Sequence, residues 1–225
     1  MFIKVFSHYI SVYLYLMHLY KVKPLNITRR ILYPSLHWEI KSSKKKIFLT
    51  FDDGPTPGIT EEIIALLKRY NAKATFFLIG DKASRHPELV QLIADSGHAI
   101  GNHTYNHLMG WKTNNNIYFD NIKKCNKLLS TTLFRPPYGK IKSSQIKVLQ
   151  KQYNIIMWSV LSGDFDKNIS PQKCFDNVKK HTNDGSIIVF HDSEKAKERM
   201  LYSLPKTLET FSSKGYIFDK INLSK

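Results

Sequence analysis

From Lys46 onward the chain alternates two hydrophobic rhythms. Short apolar runs rich in β-branched and aromatic residues, at 46–51, 74–79, 98–101, 133–135, 155–160, 186–191 and 216–219, predict strands. Between them apolar positions recur at helical spacing near 60–71, 87–96, 116–130, 143–152, 171–181 and 199–213, which predicts amphipathic helices. Pro87 and Pro171 stand where first-turn prolines belong, and Gly97, Gly185 and Gly215 stand where a helix end wants a left-handed residue. Seven βα repeats of this kind predict an α/β fold with a parallel sheet closed into a barrel, or nearly so; an open doubly wound sheet is the alternative. No GxGxxG or Walker-type loop follows the first strand, which removes the usual nucleotide sites of the open sheet.

Before Lys46 the rhythm changes. Residues 1–20 are apolar and aromatic but carry Lys4, His8 and His18, and no small-residue cleavage site follows them, so a cleavable signal peptide is not expected. The run is marginal for spanning a bilayer. Backed by Lys21, Lys23, Arg29 and Arg30, it suits a peripheral anchor on an anionic membrane surface, formed by residues 1–30; a helix packed on the domain is the alternative. Residues 21–45 read as a basic linker. The expected organisation is an N-terminal extension over 1–45 and one domain over 46–222.

Composition narrows this only a little. The length of 225 residues, with 42% hydrophobic and 12% aromatic content, suits one folded domain with a sizeable core. The 34 Lys and Arg against 18 Asp and Glu give a net charge of +16, which favours anionic neighbours. That charge is spread over Lys-rich helices with no zinc-finger spacing or helix-turn-helix signature, so nucleic acid is not the expected partner. Cys125 and Cys174, far apart in sequence, give no metal spacing and no disulfide framework, and they leave the compartment open.

Several polar residues sit where packing has no use for them, just after strands. Asp52 and Asp53 follow the first and His103 and His107 the third; Arg135 follows the fourth, Asp164 the fifth and His191 the sixth. In a βα barrel the C-terminal strand ends ring one mouth, so these residues would converge. Adjacent carboxylates repel unless a cation settles one of them. Two imidazoles four residues apart, with one carboxylate, can hold a zinc-like ion and leave open positions for water and substrate. Thr104 stands where an HExxH protease needs its glutamate, so that chemistry is not expected. Arg135, ahead of the rigid pair Pro136-Pro137, could pair with one carboxylate, and His191 suits a general acid that Asp164 orients and makes more basic. His98, inside a strand-like run, reads as a core or supporting residue.

Taken together, TFDDGP at 50–55, HTYNH at 103–107, RPPYG at 135–139, the Asp164-Phe165 pair and VFH at 189–191 resemble the five ordered motifs of the polysaccharide deacetylases, the NodB-homology group or carbohydrate esterase family 4. The resemblance covers roughly residues 46–222 and implies a deformed (β/α) barrel. It implies that Asp53, His103 and His107 bind one divalent metal, usually zinc in the family, and that Asp52 is the general base acting on a water at that metal. It also implies that the backbone N–H of Tyr138 helps hold the oxyanion, that His191 protonates the leaving amine, that Arg135 tunes Asp52 and that Asp164 tunes His191. Pro136, Pro137, Tyr138, Phe165 and Val189 would contact substrate. Phe165 replaces the family's usual Trp and Val189 its usual Leu; both keep an apolar wall but alter the shape of the acetyl pocket. The implied activity is hydrolysis of N-acetyl groups on amino sugars of a polysaccharide, oligosaccharide or lipid-linked glycan. The alternatives are O-deacetylation or removal of another acyl group, and a non-catalytic carbohydrate-binding relative.

Overall fold

The structure, a computed structural model, describes residues 22–24, 33–41 and 44–223. The anchor expected over residues 1–20, with Lys21, Arg29 and Arg30, lies outside the described residues. Among the described residues no helix is long and apolar enough to cross a membrane.

The sheet is organised around β1 (Lys46–Asp52), whose last six residues are all buried. Such a run, covered on both faces, belongs in the middle of a parallel sheet. Its neighbours are β2 (Ala74–Leu78) on one side and β7 (Ile187–His191) on the other, both parallel and in register with Phe51 opposite Phe76 and Phe190. Those three rings stack at centroid distances of 5.0 and 6.1 Å. Beyond β2 come β3 (Ala99–Asn102), β4 (Leu133–Phe134) and β5 (Asn154–Ile155); beyond β7 comes β6 (Val160–Leu161). The path is β5-β4-β3-β2-β1-β7-β6, with β8 (Ile217–Phe218) pairing the start of β1 away from this path. Seven parallel strands thus curl into an incompletely closed (β/α) barrel, nearly closed as the repeat pattern predicts and deformed as the resemblance implies.

Helices α1 (Ile59–Arg69), α2 (Gly80–Arg85), α3 (Pro87–Asp95), α4 (Asn115–Leu129), α5 (Ser143–Leu149), α6 (Pro171–His181) and α7 (Lys197–Ser212) return the chain between strands. Pro87 and Pro171 do open helices, and Gly97, Gly185 and Gly215 all have positive φ. The short α2 was not predicted, because its sequence GDKASR buries only Gly80 and Ala83 and so carries no apolar stripe.

The predicted strand at 155–160 is instead two short strands separated at 156–159. There the chain changes partners: Ile156 N–H still donates to Phe134 of β4, whereas Ser159 N–H donates to Ile187 of β7. One segment therefore spans the two ends of the sheet. A second crosses the same seam: His37 bridges Ile156 in parallel and Glu39 bridges Ser186 antiparallel. Leu36 and Trp38, from the expected linker, are buried in the core alongside Phe134 and Ile155. His98 stands just before β3, buried, and accepts a hydrogen bond from Ala74 N–H at 3.2 Å, so it is a core residue.

Candidate active site

Parallel strands in register bring their last residues to one rim. Asp52 ends β1 directly opposite His191, which ends β7. His103 follows β3, Arg135 follows β4, and Asp164 lies just past β6. A cavity of about 700 Å³ opens at that rim. Asp52, Asp53, His103, His107 and His191 reach it, as do Pro136, Tyr138, Phe165 and Val189. Arg135 and Asp164 are fully buried behind this wall, and Pro137 is buried in a 3-10 turn (Pro137–Gly139) and does not line the cavity.

Asp53, His103 and His107 form a compact cluster whose candidate ligand atoms lie within 4.8 Å of one another. Asp53 Oδ1 is 3.5 Å from Nε2 of His103 and 3.1 Å from Nε2 of His107, yet it is buried without a well-directed hydrogen bond. His103 Nδ1 lies 2.8 Å from the Arg135 carbonyl. A carbonyl can only accept, so Nδ1 carries the proton and Nε2 keeps its lone pair. Burial pushes the His103 pKa down to about 4, which keeps the ring neutral. Lone pairs converging on one point around an orphaned carboxylate oxygen form a donor set that fits a divalent cation. Backbone geometry is committed to the same end. Asp53, Thr104, His107 and Tyr138 all adopt left-handed φ, between 55° and 74°, a conformation that costs a non-glycine residue energy.

Asp52 accepts a 2.7 Å hydrogen bond from Arg135 Nη1. The same guanidinium donates to Thr50 Oγ1 and to the Ile156 and Met157 carbonyls, and it lies 4.2 Å from the Phe77 ring centroid. Its charge is therefore fixed in position as well as satisfied. Asp164 engages His191 with both oxygens: Oδ1 sits 2.7 Å from Nδ1 and Oδ2 accepts from the backbone N–H at 2.7 Å. Burial opposes a charge on His191, but Asp164 outweighs it, helped by Asp53 and Asp52, and the pKa rises to about 9. Nδ1 being taken, Nε2 is the nitrogen left to donate a proton into the cavity. The Phe165 ring meets His191 edge-on at 5.1 Å, and Tyr138, 58% exposed, packs on His107 at 4.6 Å.

Sequence reasoning missed Trp158, Leu161, Ser193 and the lysines Lys140 and Lys195, all of which also reach the cavity. It also missed Asp192. This fully buried carboxyl accepts from Thr60 Oγ1 at 2.6 Å, while its backbone carbonyl accepts from Thr56 Oγ1. Burial pushes its pKa up to about 7. The sequence does carry a signal for it, since Asp192 directly follows His191 at the end of a wholly apolar run.

Residues 39–155 match the family profile described as polysaccharide deacetylase. A peptidoglycan-N-acetylglucosamine deacetylase of Bacillus cereus is 35% identical over 188 residues, covering 80% of this chain and 88% of that protein. One from Listeria monocytogenes is 33% identical over 189 residues, covering 80% of this chain but 39% of that longer protein. The solved structure of the Bc1960 peptidoglycan N-acetylglucosamine deacetylase, in complex with 4-naphthalen-1-yl-N-oxidanyl-benzamide, superposes with a TM-score of 0.81 at 32% identity. That match covers 88% of this chain and 95% of the other.

Proposed function

The chain belongs to the polysaccharide deacetylase family, and from that premise we propose that it is a zinc-dependent enzyme removing N-acetyl groups from the amino sugars of peptidoglycan. The reading is carried by one observation, the cluster of Asp53, His103 and His107 around an oxygen that lacks a directed hydrogen bond. These three residues would hold the metal. A divalent cation bound there makes water more acidic and polarises a carbonyl.

The chain's own residues supply the rest. Asp52 takes the proton of the attacking water on its carboxylate, which the Arg135 guanidinium holds in place. The acetyl carbonyl lies toward Tyr138, whose backbone N–H donates to the developing oxyanion. His191 gives its Nε2 proton to the sugar nitrogen as the C–N bond breaks, and Asp164 fixes the ring and stabilises the imidazolium beforehand. Acetate and a free amine leave. Val189 and Phe165 form the apolar wall that receives the methyl group. The peptidoglycan assignment is supported by the names of the relatives aligned over most of this chain. The ligand in the solved relative has a hydroxamic acid head, a group that chelates divalent metals, which supports a metal at the equivalent place.

The test is acetate release from N-acetylated glycan by metal-stripped protein, with and without added zinc, alongside Asp52→Asn. Zinc should restore release, and the variant should lose at least ~100-fold in kcat while keeping its melting temperature. Release that ignores metal removal, or an active Asp52→Asn, overturns the mechanism.

A further inference from the structure

The cavity holds two kinds of charge. Its two carboxylates have set places, Asp52 accepting from Arg135 and Asp53 standing in the cluster with His103 and His107. Its two lysines, Lys140 and Lys195, are not placed in this way. Among the described residues neither ammonium has a carboxylate within 4.0 Å. Instead, each rests near the face of an aromatic ring: Lys140 Nζ lies 5.7 Å from the Trp111 centroid and Lys195 Nζ 5.7 Å from that of Phe165. An aromatic face attracts a cation without cancelling its net charge, so both ammoniums are positioned yet still able to meet an anion. The rings are themselves placed. Trp111 donates its indole N–H to the Ile141 carbonyl at 2.9 Å, and Phe165 packs edge-on against His191. Lys140 follows the turn after β4 and Lys195 follows β7, so in the strand order they stand on either side of β1 and its aspartates.

We propose that Lys140 and Lys195 are specificity residues that select a glycan carrying an anionic substituent, carboxylate or phosphate, beside the sugar to be deacetylated. The proposal deepens the deacetylase reading and rests on it. It differs from a general pull by the +16 surface, because it assigns the preference to two positions. Lysines such as Lys127, in the last turn of α4, and Lys151, just past α5, provide the contrast. In a parallel βα sheet, helix C-termini lie at the end of the barrel away from the strand ends that form the cavity.

The experiment compares three N-acetylated tetrasaccharides: chitotetraose, its 6-phosphorylated form, and one carrying a 3-O-lactyl carboxylate on alternate sugars. Acetate release gives kcat/KM for each, and calorimetry gives each Kd at low and high salt. The zinc-loaded protein should prefer an anionic substrate about tenfold at low salt, and the better of the two anions identifies the source. In Lys140→Gln/Lys195→Gln the ratio of anionic to neutral should fall to within twofold of unity. In Lys127→Gln/Lys151→Gln it should stay at the wild-type value. Equal handling of all three sugars by wild type, or the same loss in both double variants, overturns the proposal. If no sugar releases acetate, the deacetylase reading fails, and the dissociation constants still decide whether these lysines select an anion.

Discussion

Both oxygens of Asp164 face His191, so the imidazolium is held by a charge it cannot move away from. In the metal-free protein its pKa is raised from 6.5 to about 9, so His191 carries its proton at neutral pH. The shift also contributes stability. That contribution is complete below pH 6.5, the unfolded value, and is lost as pH rises through about 9. In metal-free protein, the His191 resonances followed by NMR should titrate near pH 9. In Asp164→Asn they should titrate at least one unit lower, since the largest opposing influence, burial, is then left without its counterweight. An unchanged titration would show that Asp164 orients the ring without charging it. Residue identity at strand ends made His191, Asp164 and the cluster of Asp53, His103 and His107 legible in the sequence, because a charged group closing an apolar strand has no packing use. Lys140, Lys195 and Trp158 were not legible, since lysine or tryptophan in a loop looks like ordinary surface until the fold turns it toward a cavity.

At the scale of elements, the β1 turn is locked from beneath. Gly54 lies so close to Asp192 that a Cβ there would meet Oδ2 at 2.3 Å. The Asp192 backbone N–H donates to the Asp52 carbonyl, and Thr56 and Thr60 complete the clamp. The end of β7 thereby sets the position of the turn that carries both aspartates. Gly54→Ala should cost about 1–3 kcal/mol, and Asp192→Ala, which opens the space, should recover part of that in the double variant. Chemical denaturation of the four proteins gives the coupling, expected to exceed ~1 kcal/mol. Additive effects would mean that the turn shifts freely. The sequence announces this turn through its Gly-Pro pair but not the need for a bare Cα, because Asp192 is distant in the chain. The split of the predicted strand at 155–160 was hidden for a related reason: a run with five apolar residues and only Ser159 to interrupt it looks alike whether it stays on one partner or changes from β4 to β7 partway.

Over the whole molecule, the seam between the sheet's two ends is covered by residues 36–40, Leu-His-Trp-Glu-Ile, whose alternation is itself a strand signal that the basic residues around it obscured. Trp38 is 7% exposed and donates its indole N–H to the Tyr33 carbonyl. Trp38→Ala should therefore cost about 3–5 kcal/mol and lower Tm by roughly 10 °C, read by calorimetry; a drop of a degree or two would show the strap to be a bystander. The strap also bears on the order in which the chain is made. Its partners are Ile156 and Ser186, and the open flank of β1 is filled only by Ile187–His191. A growing chain that has reached α5 already holds Asp52, Asp53, His103, His107 and Arg135, while one side of β1 has nothing to pair with. Translation thus delivers the metal-type cluster early and His191, the proposed proton donor, late. Until His191 emerges, the nascent protein exposes a bare strand edge, the kind of surface that other chains and chaperones engage.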